Sequence, residues 1–324
     1  MIRRVIVNRI SILYLVAAAL FFPQISLGFE LAISNERSNE VWVHTPEGNV
    51  IRPLVSCLRP RGMLPQPADQ TLWIACSDED SVIRIDSKTG EVKTRVTGQI
   101  GATTLNWIEP NGRLVVSNEG ASSASVIESG TGKVLAELVT GFEPDGVASA
   151  DGKIFVASEN AGVVHVFSAE DYSEVDALVT DLRPRRLAVS GGELWVSSEM
   201  GSKVEIFGIS TLERLGEIVF SPRGFRSEQL TPVDIRFSRD GATAYVALGA
   251  ANHVVIVDVK TREVEKYILV GRRAWGLELS PDEEYLFVLN GLSDDMTIID
   301  LDRRRPIRSV RTGLVPHAVK VINP

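Results

Sequence analysis

The chain has 324 residues, 44% hydrophobic and 23% charged, and its 42 acidic side chains outnumber 34 basic ones for a net charge of −8. A chain this acidic does not hold nucleic acid or an anionic membrane through its net field. The apolar content, with no run of polar low complexity, describes a packed globule rather than a disordered chain.

Residues 1–28 read as a secretory signal peptide. Arg3, Arg4 and Arg9 make a basic start, Ile10 to Phe22 is apolar, and Ser26-Leu27-Gly28 places small residues at −3 and −1 of a cleavage point. The apolar run is short for a membrane span, and Arg3-Arg4 sits too near the start for a twin-arginine signal. Cleavage would remove three arginines, take the net charge to −11 and leave no membrane attachment. The expectation is a mature domain over 29–324, exported to a bacterial periplasm.

From residue 30 onward a short β-rich unit recurs seven times. Its cores are Ala32-Ile33-Ser34-Asn35, Trp73-Ile74-Ala75-Cys76, Val115-Val116-Ser117-Asn118, Phe155-Val156-Ala157-Ser158, Trp195-Val196-Ser197-Ser198, Tyr245-Val246-Ala247-Leu248 and Phe287-Val288-Leu289-Asn290. Their offsets are 41, 42, 40, 40, 50 and 42 residues. A period near 40 residues built from strands and turns predicts an all-β fold, a seven-bladed β-propeller with four antiparallel strands per blade. Turns such as Asp86-Ser87-Lys88-Thr89-Gly90 close the outer strands, with Asp capping amides and Gly taking the positive-φ position. Asp151-Gly152, Asp240-Gly241 and Asn111-Gly112 mark hairpins between innermost and second strands. The first unit begins with a second strand at Leu31, and the last ends with a surplus innermost strand, His317–Ile322. These two strands should pair and close the ring, which removes two exposed edges.

The Tyr/Phe/Trp-Val-Ala/Ser-Asn/Ser core, the Asp-x-x-Thr-Gly turn and the Pro-x-Gly lead into the innermost strand resemble the YVTN-repeat propellers. More narrowly, Ser34-Asn35-Glu36, Arg59-Pro60-Arg61-Gly62, Gly271-Arg272-Arg273-Ala274-Trp275-Gly276-Leu277 and Leu289-Asn290-Gly291-Leu292-Ser293-Asp294-Asp295 resemble the exported propeller family associated with pyrroloquinoline-quinone (PQQ)-dependent catabolism. The resemblance spans residues 30–324. It implies a periplasmic accessory to quinoprotein alcohol or aldehyde oxidation with no established catalytic role. A quinoprotein dehydrogenase or a small anionic ligand is the partner to expect, and PQQ, not covalently held, is one candidate ligand.

If each outermost strand returns to the next innermost strand across the top, two sets of loops share that face. Leads into the innermost strands supply Arg59, Arg61, Asp145, Arg183, Arg185, Arg186, Asp234, Arg272, Arg273, Trp275 and His317. Loops after the second strands supply an acidic ring, Glu36, Glu119, Glu159 and Glu199, at one aligned offset. Arginines in this number suit bidentate capture of carboxylates, with Trp275 as a stacking surface and His317 as a titratable group. The alternative is a structural ring in which these arginines pair with the surrounding acids. The fifth blade carries an insertion over 220–232, where Arg223, Phe225 and Arg226 suit a partner contact or a lid.

Cys57 and Cys76 fall near the top of adjacent blades, within reach of a disulfide or as two separate core thiols. His44, His165 and His253 are scattered, which predicts no metal site. No haem-attachment motif, Gly-x-Ser-x-Gly elbow or phosphate loop occurs, and no catalytic residue stands out. The leading expectation is therefore a binding scaffold acting through its top face. A lactonase-like hydrolase, the large subunit of a two-subunit quinoprotein, and a cell-envelope interaction module are the alternatives.

Overall fold

The computed structural model describes residues 28–110 and 112–323; apart from Gly28, the leader reading falls outside them. The described residues form seven four-stranded antiparallel sheets. Six sheets are built from consecutive strands. The seventh takes Glu30–Asn35, Glu40–His44 and Val50–Ser56 from the start of the chain, and Pro316–Ile322 from its end. Pairing runs from Glu30 with Ile322 to Asn35 with Pro316, so the chain closes its own ring as expected.

The second strand of each blade is the most deeply buried element. Thr71–Cys76 is buried at every position, as are five of six residues in Lys153–Ser158 and Glu193–Ser198. Both faces of such a strand look into apolar wedges between neighbouring blades. One wedge joins Ala32, Val41 and Val43 of the first blade to Met63, Leu72, Ile74 and Ile83 of the second. Outermost strands bury little more than one residue each, which is why Glu174–Val179 can carry four consecutive exposed positions.

The innermost strands share an irregularity that matters for function. In the second blade Pro60 pairs with Cys76 and Met63 with Ile74, so Arg61 and Gly62 together oppose Ala75. The same one-residue bulge recurs in all seven blades. A bulge twists the strand and re-aims its side chains. Here it turns two successive residues per blade toward the central axis, where neighbouring innermost strands crowd. Glycine is needed at three of these positions: a Cβ on Gly62, Gly146 or Gly276 would lie 2.4, 2.3 or 2.6 Å from a backbone oxygen of the next blade.

Cys57 and Cys76 form a disulfide with Cα atoms 5.6 Å apart, tying the end of one blade's outermost strand to the next blade's second strand. The bridge spans 19 positions in sequence, for which loop-closure entropy is worth about 3 kcal/mol. Replacing both cysteines with Ala should lower the unfolding free energy by about that amount, and dithiothreitol should shift the wild type equally. Unchanged denaturant midpoints in both experiments would show that the bridge adds nothing to stability.

Candidate functional site

The bulges gather charge at the top of the channel. The first of the two inward positions holds Arg61, Asp145, Arg185, Trp275 and His317 in five of the blades, and all five are buried. Arg185 is the hub. Its Nε lies 3.4 Å from Asp145 Oδ2, its Nη1 lies 2.8 Å from Glu159 Oε1 and 3.0 Å from Glu199 Oε2, and its guanidinium sits 4.6 Å from the centre of the Trp275 ring. Arg183 reaches Glu159 at 2.6 Å and Glu199 at 3.3 Å. Arg186 pairs with the other oxygen of Asp145 at 2.5 Å and donates to Thr104 Oγ1.

A second cluster faces the first. Arg61 donates to Glu119 at 2.5 Å, to Thr103 Oγ1 at 3.0 Å, and through Nε to His317 Nε2 at 3.4 Å. Arg59 holds Glu36 at 2.7 Å and Asp78 at 3.5 Å. Arg273 differs: among the described residues it makes no ion pair, and its guanidinium stacks 4.6 Å from the Trp275 ring centre.

Burying so many charges moves their titration. Burial alone would raise the Asp145 carboxyl, but the guanidiniums of Arg186, Arg185 and Arg61 overrule it and hold it far below the carboxylate range. Glu159 is pushed up to about 7 by burial and by the neighbouring Asp145 carboxylate, against the pull of Arg185 and Arg183. Burial works against the charge on Arg185, yet Asp145, Glu159 and Glu199 together hold its proton more tightly than usual. His317 is kept well below its ordinary value by burial, then by Arg61 and Arg186, and is neutral at pH 7. Because its Nε2 accepts from Arg61, the remaining ring proton is assigned to Nδ1.

Two cavities adjoin this cluster. A mouth pocket of about 200 Å³ is walled by Glu36, Arg59, Arg61, Arg185 and Arg273 on its charged side, with Trp275 and His317 and an apolar flank at Leu292, Val315 and Pro316. Below it, a channel cavity of about 220 Å³ is lined by His317, Arg186, Asp234, Arg236 and Lys320 among others. In the channel Lys320 donates to Glu278 at 2.7 Å and Arg236 to Asp234 at 2.9 Å. Two buried ring nitrogens at the mouth, Trp275 Nε1 and His317 Nδ1, find no hydrogen-bond partner among the described residues, and Arg185 Nε and Asp145 Oδ2 meet only each other, at 3.4 Å.

The structure brings together most of the residues singled out from the sequence, but not in one layer. Arg59, Arg61, Arg185, Arg273, Trp275, His317 and Glu36 line the mouth pocket. Arg186 and Asp234 belong to the channel below, because they occupy the second bulge position. Glu119, Asp145, Glu159 and Glu199 stand behind the lining and hold its arginines, and Arg183 pairs with Glu159 and Glu199. Arg272 is exposed on the rim. The inserted loop keeps Arg223, Phe225 and Arg226 away from both cavities: Phe225 packs edge-on against His253 at 5.4 Å, and Arg226 pairs with Glu228 at 3.4 Å. Reading the sequence missed Thr103, Thr104, Arg236, Glu278 and Lys320. The strand alternation of Lys320 and Glu278 with apolar neighbours was visible, but not which face met the axis.

Residues 164–321 match the family model of the seven-bladed β-propeller lactonases. No curated protein matches the chain. Among solved structures, the periplasmic gluconolactonase of Pseudomonas aeruginosa superposes with a TM-score of 0.76 at 19% identity, covering 91% of this chain and 99% of that one. A Bacteroides uniformis protein provisionally named a 6-phosphogluconolactonase gives a TM-score of 0.74 at 16% identity, over 91% of this chain and all of its own (100%). Hydrazine synthase of Kuenenia stuttgartiensis gives a TM-score of 0.72 at 18% identity, over 81% and 95%. At such identities the structures speak for the fold alone. The expectation of a non-catalytic accessory to PQQ-dependent oxidation is corrected by the family match, which favours the hydrolase alternative. The stretches behind that expectation, Arg59-Pro60-Arg61-Gly62 and Gly271–Leu277 among them, lead into innermost strands and shape the mouth without naming its ligand.

Glu159 sets a pH dependence. A carboxyl raised in the folded state contributes stability that is complete below its ordinary value near 4.5 and is lost as pH rises through about 7. Relative to Glu159→Gln, the wild type should therefore lose unfolding free energy steadily between pH 4.5 and 7, and the difference should level off above. Parallel denaturation curves at all pH values would refute the raised titration.

Proposed function

We propose that the chain is a lactone hydrolase whose reaction takes place in the mouth pocket. One arrangement carries this reading: unpaired hydrogen-bond donors on His317 and Trp275 belong to a pocket whose lining contains a single carboxylate, Glu36. The family match supports it.

Opening a cyclic ester needs a base for the attacking water, positive charge for the carbonyl oxygen as it becomes an oxyanion, and a proton for the departing ring oxygen. Glu36 is fixed through Oε1 by Arg59, while its Oε2 accepts no hydrogen bond from the described residues. It is assigned as the base that takes the water proton. Arg61 and Arg185 are both buried, and their Nη2 groups make no hydrogen bond to the described residues. They face the developing oxyanion, where preorganised cations in a dry pocket act most strongly. As the tetrahedral centre collapses and the ring C–O bond breaks, Glu36 returns its proton to the ring oxygen, giving a hydroxy acid. Trp275 forms a flat wall held by two guanidiniums, and neutral His317 offers Nδ1–H to the substrate. The leader-like N-terminus and the disulfide support work outside the cytoplasm.

The test is proton release in a pH-stat with glucono-1,5-lactone and γ-butyrolactone as first substrates. Turnover above the spontaneous rate is expected, and Glu36→Gln should lower kcat by about 10²- to 10⁴-fold, the range for losing a general base, with unfolding unchanged. Absence of hydrolysis across γ- and δ-lactones, or an undiminished Glu36→Gln rate, would overturn the assignment.

A further inference from the structure

The mouth pocket is lopsided. Its arginine wall faces a flank made by Leu292, Val315 and Pro316, which offers nothing to a polyhydroxylated ring. That flank runs outward onto side chains that water should not favour: Leu292 is 54% exposed, Leu314 is 52% exposed, and Leu58, next to Arg59 on the adjoining loop, is 49% exposed. Leu292 lines the pocket itself and Leu314 directly precedes the lining residue Val315, so exposed apolar side chains stand at the pocket lip.

The strip is preformed. Leu292 N donates to Arg272 O at 3.0 Å and Gly291 N to Arg273 O at 2.9 Å. On the neighbouring loop, Arg37 N donates to Leu314 O at 3.1 Å, Leu314 N to Ser38 Oγ at 2.7 Å, and Val315 N to Asp294 Oδ1 at 2.8 Å. The last of these ties the two loops together and fixes Leu292 and Leu314 beside one lip of the pocket. That lip lies beside Arg273, whose charge is unpaired among the described residues and lies flat on Trp275. The pocket thus joins a cationic, hydrogen-bonding inner end to an apolar exit. Only a molecule with the same division of character, a polar or anionic head and an aliphatic tail, complements both.

We propose that the substrate is an amphiphilic lactone whose alkyl or acyl tail leaves the mouth pocket past Leu292 and Leu314. This rests on the lactonase reading of the pocket and deepens it. Ring opening leaves a carboxylate at the arginine wall while the tail stays on the apolar lip, so the product is held at both ends. Leu182, exposed at the aligned loop position of another blade, lines neither the pocket nor the channel and serves as a control for non-specific adsorption.

Two series test the proposal. The first is hydrolysis of γ-butyrolactone, γ-octalactone and γ-dodecalactone in a pH-stat. The second is calorimetric binding of butanoate, octanoate and dodecanoate, which mimic the product and need no turnover. Both kcat/KM and affinity should rise about two- to fourfold per methylene, the upper figure being full removal of a CH₂ from water. The Leu292→Ser/Leu314→Ser double variant should flatten both slopes, whereas Leu182→Ser should keep the wild-type slopes. Hydrolysis with no dependence on tail length would overturn the apolar exit and leave the lactonase standing. Tail-dependent carboxylate binding that Leu292→Ser/Leu314→Ser abolishes, with no lactone hydrolysed, would keep the apolar exit and overturn the reaction. Slopes lowered equally by Leu182→Ser would overturn the apolar exit as a specific site.

Discussion

Everything at the mouth depends on one hydrogen-bonded ladder, between the first strand and the last. When Pro316–Ile322 pairs with Glu30–Asn35, it closes a ring whose seven wedges would otherwise leave two apolar faces in water. It also delivers His317 to the axis, 256 positions away in sequence from the Arg61 that donates to it, and sets Lys320 against Glu278 in the channel. An unclosed propeller would have blades but no site. The loops that build the pocket flank, Val315 and Pro316, belong to the same closing segment.

The second constraint is electrostatic. A guanidinium buried as deeply as Arg185 is tolerable only where several carboxylates share it, since an uncompensated charge in a low-dielectric wall costs several kcal/mol. Asp145, Glu159 and Glu199 supply that compensation, and the crowding of Glu159 against Asp145 then raises the former. The arrangement separates two roles. Acids behind the lining keep the arginines in place, while Glu36 and the unpaired donors line the cavity itself. Structural ring and ligand site were alternatives in the sequence; the structure shows the arginines paired with acids, and a cavity beside those pairs.

Much of the fold was legible in the chain itself. The aromatic-Val-Ala/Ser cores from Trp73 to Phe287 mark strands buried on both faces, and burial demands that composition wherever the blade lies. Ring closure was legible too, because a surplus innermost strand at the end matches a missing one at the start. For the candidate site, the recurrence of Glu36, Glu119, Glu159 and Glu199 at one offset, and of arginines before the innermost strands, pointed to residues that the structure gathers around the mouth pocket. It did not separate Glu36, which faces the pocket, from Glu159 and Glu199, which face arginines. Nor did it expose Lys320 or Arg236, because the one-residue bulge shifts which side chains meet the axis, and nothing local in Pro60-Arg61-Gly62 or Pro184-Arg185-Arg186 announces it.

Repeat period, blade number, strand order and the charge of the upper face follow from the sequence alone, since each rests on patterns repeated within some 40 residues. Which arginine pairs with which acid, which donors stay unpaired, and where the apolar flank meets the charged wall were decided only by the tertiary structure. The reason is physical: these outcomes depend on distances among seven separate segments around an axis, and closing the ring sets those distances all at once.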